Sequence, residues 1–256
     1  ILQANMAMQQ QEWERAIGIY ESLQQLSVPL DEALNMDYLY DYYFNLGLAH
    51  HHLGRFSDAV NYWEKNVALR PEVAQPYNNL GAAYFRLGNL PRAVEVWERA
   101  IALDPDYPEA YFNLGNALFA QQSYARAALS WKKAIDLKPD YGDAYYGLGN
   151  ISYQLGQWGK AISAYTTARQ FSPEDANIHF NMAQVHLRRD DAEAAVRSFE
   201  RVAQLKPDDA EALVHLGRLY AELGRSSDAH RVFRQLLEVS PNHPQVGEIR
   251  RALGDG

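Results

Sequence analysis

Apolar residues recur at three- and four-residue steps in short blocks along nearly the whole chain, the spacing that gathers them on one side of a helix. The stretch AYFNLGNALF, residues 110–119, is one such block, yet it sets two amides, Asn113 and Asn116, among aromatic and aliphatic neighbours. Residues three apart share nearly the same side of a helix. Asn is a mediocre helix former because its side chain competes for backbone hydrogen bonds, so a paired amide face calls for a reason.

The blocks repeat. Pro71, Pro105, Pro139, Pro173, Pro207 and Pro241 are each separated by 34 residues. Leu46, Leu80, Leu114, Leu148, Met182 and Leu216 keep the same interval, followed one residue later by Gly47, Gly81, Gly115, Gly149, Ala183 and Gly217. Ala59, Ala93, Ala127, Ala161, Ala195 and Ala229 form a further column, and four residues on stand Trp63, Trp97, Trp131, Tyr165, Phe199 and Phe233. Each period therefore predicts two amphipathic helices. A turn parts them at Gly54, Gly88, Gly156 and Gly224, where glycine can take a positive φ. The proline column ends the second helix, since proline lacks an N–H and clashes with the preceding turn. Small Gly and Ala columns let the helices approach, and the aromatics opposite fill the remaining space.

With this period, the L-G pair, the following Ala, the aromatic and the Pro, the sequence resembles the tetratricopeptide repeat (TPR) family. The resemblance implies an all-α fold, a right-handed superhelical TPR solenoid of stacked antiparallel helix pairs. Six full repeats start at Tyr40, Ala74, Pro108, Gly142, Ala176 and Ala210 and occupy 40–243. EWERAIGIYESL, residues 12–23, matches the second helix of a further, partial N-terminal hairpin, so 1–39 comprises that hairpin and an extension of nine extra residues near 31–39. Residues 244–256 are expected to form a capping helix. Repeat five departs most, with His179, Met182 and Ala183 in place of Tyr, Leu and Gly and Asp190-Asp191 at its turn, and looser packing is expected there.

The resemblance places first helices on an inner, concave wall. Counted from each start, the sixth and ninth positions then give a ladder of amides, Asn45, Asn79, Asn113, Asn116, Asn150 and Asn181. Beside it stand Phe112 and Tyr146 at the fifth position, Phe85, Phe119 and Tyr153 at the twelfth and Arg86 at the thirteenth. Amides offer donors and acceptors together, and a row of them suits the backbone of an extended peptide. The substrate-reading arm of the O-linked N-acetylglucosamine transferases resembles this arrangement, of which only the ladder is carried over. The competing interpretation is that Asn before L-G is a tolerated polar residue on a solvated face. The fifth-position aromatics either line the groove or pack between first helices.

Composition narrows the function. The net charge is −8 and the Lys and Arg residues form no cluster, which disfavours nucleic acid, whose binding needs concentrated positive charge. The chain has no cysteine, which removes disulfides, thiolate zinc sites and thiol nucleophiles. No window supplies the Lys, Arg and Asn set by which TPR co-chaperones hold a C-terminal carboxylate. Asp41, Glu109, Asp143, Glu211 and Glu222 against Arg86, Arg188 and Arg218 suggest an uncharged or weakly basic protein ligand. His50-His51-His52 points in three directions about 100° apart and so does not converge on a metal. His51 and His52 are expected toward the groove, His50 in a packing column, and His179 and His186 in packing columns with a satisfied ring nitrogen. Turn carboxylates such as Asp104, Asp106, Asp190 and Asp191 suit helix capping. No phosphate loop, nucleophile elbow or zinc signature is present, so neither catalysis nor a cofactor is expected.

The expectation is a non-enzymatic scaffold that holds an extended peptide or helix of another protein. The alternatives are a scaffold that self-associates through its terminal repeats, and a regulatory arm of a larger enzyme. The chain starts at Ile1 rather than Met, so a segment upstream is open. No stretch is apolar and long enough to cross a bilayer. The repeat style suggests a bacterial source, with cytoplasm and periplasm both open.

Overall fold

The computed structural model describes residues 2–23, 35–245 and 247–249. Among these residues the chain is all-α. It forms fourteen helices, α1 (Leu2–Gln9), α2 (Trp13–Ser22), α3 (Met36–His52), α4 (Phe56–Leu69), α5 (Ala74–Arg86), α6 (Leu90–Leu103), α7 (Pro108–Ala120), α8 (Tyr124–Leu137), α9 (Gly142–Gln154), α10 (Trp158–Phe171), α11 (Ala176–Arg188), α12 (Ala192–Leu205), α13 (Ala210–Glu222) and α14 (Ser226–Val239). Residues 247–249 add a helical turn. The extension expected at 31–39 lies outside the described residues up to 34, and 36–39 open α3. Most of the expected cap at 244–256 also lies outside them.

Two compact units divide the chain, Ile1–Pro139 and Asp140–Gly256. In each, consecutive helices pack as pairs, and each second helix packs on the next first helix. Successive first helices also touch directly: α1 with α3, α3 with α5 and α5 with α7 in the first unit, and α9 with α11 in the second.

The proline column explains where second helices stop. Each of α4, α6, α8, α10, α12 and α14 ends two residues before its proline. The residue between is extended, with φ from −133° to −141°. That is where the proline ring drives its predecessor. At the other turn, Gly54, Gly88, Gly156 and Gly224 have φ of 68–74°, and Gln11, Gln122 and Asp190 take the same left-handed conformation with a side chain present. Capping carboxylates finish several starts: Asp175, Asp191 and Asp209 each accept from a first-turn N–H. Asp104 accepts from Asp106 N in its turn.

The aromatic column fills the layer between paired helices. A Cβ built on Gly47, Gly81, Gly115, Gly149 or Gly217 would come closer than 3.0 Å to the ring of Trp63, Trp97, Trp131, Tyr165 or Phe233 respectively. The fifth repeat carries Ala183 here and packs fully: Ala183 and Phe199 are completely buried, within a core that includes Val196, Val202 and Leu213. The looser packing expected from its divergent sequence is absent, because Phe180 packs edge-on and His215 face-on against Phe199.

Candidate functional site

The first-helix faces carry all the amides of the ladder, and each is half-buried rather than free in solvent or sealed. Their surroundings follow the identity of the aromatic column. Where that column holds Tyr, its hydroxyl reaches an amide. Tyr20 donates to Asn5 and accepts from Asn45 Nδ2 at 2.9 Å. Tyr165 donates to Asn150 Oδ1 at 2.8 Å. Where the column holds Trp, the indole N–H instead donates to the carbonyl of the fifth-position residue: Trp63 to Phe44 at 3.2 Å, Trp97 to Asn78 at 3.0 Å and Trp131 to Phe112 at 3.1 Å. Trp131 Nε1 also lies 3.2 Å from Asn116 Oδ1.

The amides are further tied from one first helix to the next. In the first unit Asn45 Nδ2 lies 3.4 Å from Asn5 Oδ1, and Asn113 Nδ2 donates to Asn78 Oδ1 at 3.0 Å. In the second, Asn181 Nδ2 donates to Asn150 Oδ1 at 3.0 Å and to the Tyr146 hydroxyl at 2.8 Å. Burial above all, with the neighbouring Asp175 adding to it, holds the Tyr146 phenol above its ordinary range. Burial, reinforced by the nearby Tyr146, does the same for Tyr165. Both therefore stay neutral hydroxyls.

These bonds leave capacity unused. An amide has two donors and two acceptor lone pairs. Among the described residues, Asn45, Asn113 and Asn181 bond through Nδ2 and keep Oδ1 open, and Asn116 bonds through Oδ1 and keeps Nδ2 open, whereas Asn150 accepts at Oδ1 and its amide also reaches the Tyr146 hydroxyl. Asn79 forms no side-chain hydrogen bond among the described residues.

The aromatics named with the ladder are half-buried and back it from below. Phe85 packs on Trp97 with ring centroids 6.0 Å apart, Phe119 on Trp131 at 5.7 Å and on Tyr124 at 5.4 Å, and Tyr153 on Trp158 at 5.4 Å. Tyr146 packs on Tyr165 at 5.7 Å, and Phe112 is half-buried beside its Trp131-bonded carbonyl. Arg86 is exposed, its guanidinium 4.6 Å above the ring of Phe56.

The histidines keep their packing columns, but not every ring nitrogen is satisfied. His51 is half-buried against Phe56 and Trp63, and exposed His52 lies flat on Trp13 with centroids 4.3 Å apart. Both find an aromatic partner at the end of α3. His50 is buried in its packing column with both ring nitrogens unbonded. His179 is satisfied by the Pro173 carbonyl at 3.0 Å, but His186 Nδ1 has no hydrogen bond, its nearest acceptor Asp191 standing 3.7 Å away. Among the described residues, no group of three or more His, Asp or Glu is placed to hold a metal ion.

Solved structures share this fold. The chain is 23% identical to YrrB, a TPR protein with an unusual peptide-binding site, over 74% of this chain and 97% of that one, with a TM-score of 0.61. It is 26% identical to MamA over 65% of this chain and 97% of that one, with a TM-score of 0.59. It is 20% identical to pilF of Pseudomonas aeruginosa over 85% and 99%, with a TM-score of 0.72. No curated protein matches the sequence significantly. One family model covers residues 30–255, and it indicates no enzyme. The chain therefore belongs to the TPR family described as the Cilia and flagella-associated protein 70 C-terminal domain, and its repeats form a TPR-type protein-interaction scaffold.

Proposed function

We propose that the chain is a non-enzymatic scaffold whose first-helix face holds an extended peptide segment of a partner protein. The observation that carries this is the half-used amide ladder. Internal hydrogen bonds fix Asn45, Asn113, Asn116 and Asn181 in place while each keeps one end open, Asn150 is engaged at both ends, and Asn79 keeps both open among the described residues. Side chains already ordered lose less entropy when a ligand arrives. Each amide-to-backbone bond contributes about 0.5–1.5 kcal/mol net, so binding requires several rungs together. Flanking half-buried aromatics add contact area for apolar ligand side chains.

A peptide array probed with the full chain tests this. Asn79→Ala combined with Asn113→Ala is expected to abolish the signal. Leu129→Ser, at a residue of α8 that is 67% exposed, is expected to leave it unchanged. Retention in the double variant with loss in Leu129→Ser would move the binding surface to the second helices and end this interpretation.

A further inference from the structure

The first unit contains seven arginines, and six of them have an acceptor. Arg15, Arg55, Arg70, Arg92 and Arg126 are paired with Glu12, Glu14, Asp37, Glu95 and Glu98, and Arg99 reaches the Pro71 carbonyl at 3.5 Å. Arg86 has none among the described residues. Its place in the last turn of α5 accounts for a cation, since the helix dipole favours positive charge there. The dipole does not account for a guanidinium without an acceptor. The group lies 4.6 Å from the centre of the Phe56 ring and the residue is exposed, so its N–H groups are open to a ligand. They match a carboxylate in bidentate fashion.

Another uncommitted group of α5 is Asn79, seven residues earlier. Seven residues are two helical turns, so both side chains rise from one stripe about 10.5 Å apart. Half-exposed Ala82 lies between them and leaves room for a backbone to pass. An extended segment advances about 3.3 Å per residue, so it covers that span in about three residues. We propose that Arg86 anchors an acidic side chain of the bound segment, about three positions from the residue whose backbone Asn79 holds. The segment is otherwise uncharged, and Arg86 fixes its register. This inference rests on the peptide-holding function proposed above.

Selection of a randomised nine-residue peptide library on the full chain tests it, followed by affinity measurement of the selected peptides. One Asp or Glu at a fixed position is expected in the selected set. Arg86→Gln should weaken those peptides about ten- to a hundredfold, the scale of a lost hydrogen-bonded charge pair. Arg86→Lys should fall between, and versions of the peptides with Asn or Gln at that position should bind wild type and Arg86→Gln alike. Because Arg86 is exposed, an unchanged urea midpoint for Arg86→Gln excludes a folding defect. If Asn79→Ala with Asn113→Ala weakens the peptides but Arg86→Gln does not, or no acid is enriched, the anchor is refuted and the amide ladder stands. If neither weakens them, or no peptide is selected, both are refuted.

Discussion

Gly81→Ala adds one methyl group at the centre of the first unit's packing. Its Cβ would stand 2.6 Å from both Cε2 and Nε1 of Trp97 and 2.9 Å from Cδ1, where ordinary contact needs about 3.4 Å or more. Trp97 is 2% exposed, packs against Phe85 and donates its indole N–H to the Asn78 carbonyl at 3.0 Å. The ring therefore has no solvent to retreat into and loses its bond if it moves. Overpacking a filled core costs about 1–3 kcal/mol, and the strained hydrogen bond about 0.5–1.5 kcal/mol. Alanine returns about 1 kcal/mol through its helix propensity. The expected net loss is about 2 kcal/mol, read from urea denaturation followed by far-ultraviolet circular dichroism. In a Trp97→Phe background there is no N–H bond to strain, although a Phe ring still meets a Cβ in this column, as Phe233 would at Gly217. The same methyl should therefore cost about 0.5–1.5 kcal/mol less there. Gly81→Ala as stable as the parent would refute the claim that the ring sets the helix separation, and equal costs in both backgrounds would refute the share assigned to the indole hydrogen bond.

Gln122→Gly and Asp190→Gly should each stabilise by about 1 kcal/mol, because both residues hold a positive φ that costs a side chain energy; Gly88→Ala should lose a similar amount, all read as urea midpoints. Acidification should destabilise the fold. Burial lowers the affinity of His50, His51, His186 and His215 for protons below that of an ordinary imidazole at 6.5. The unfolded chain thus binds more protons in that range, so stability is complete above pH 6.5 and falls as pH drops below it. His50→Phe should flatten that slope in urea midpoints measured between pH 7.5 and 5.5. Asn66→Asp should destabilise strongly, because fully buried Asn66 donates to the Tyr40 carbonyl at 2.6 Å and a carboxylate has no proton to give; thermal denaturation checks it.

The repeat period, the helix pairs and their ends were readable because each rests on one residue type at one position. The proline column forces an extended predecessor, and the glycine column admits the aromatic ring. Gln122 and Asp190 were readable too, since both stand on the interval that carries Gly54, Gly88, Gly156 and Gly224. The partners of the amides were not. Asn113 meets Asn78, thirty-five residues earlier, rather than another member of its own column, and that depends on how far one first helix is offset along the next. Whether an amide receives a hydroxyl depends on Tyr or Trp in a different helix, as Tyr165 with Asn150 shows. His52 is placed by Trp13 across the connection at residues 24–34, beyond the reach of any 34-residue comparison.

The most direct test follows the side-chain amide resonances of Asn79, Asn113, Asn150 and Asn181 by nitrogen-15 correlated NMR while a selected peptide is titrated in. The first-helix amides of each unit should shift along a saturating curve, with Asn79 moving most because no described residue holds it. Saturable binding that shifts only second-helix signals, such as those around Leu129, and leaves these four amides in place would contradict the account.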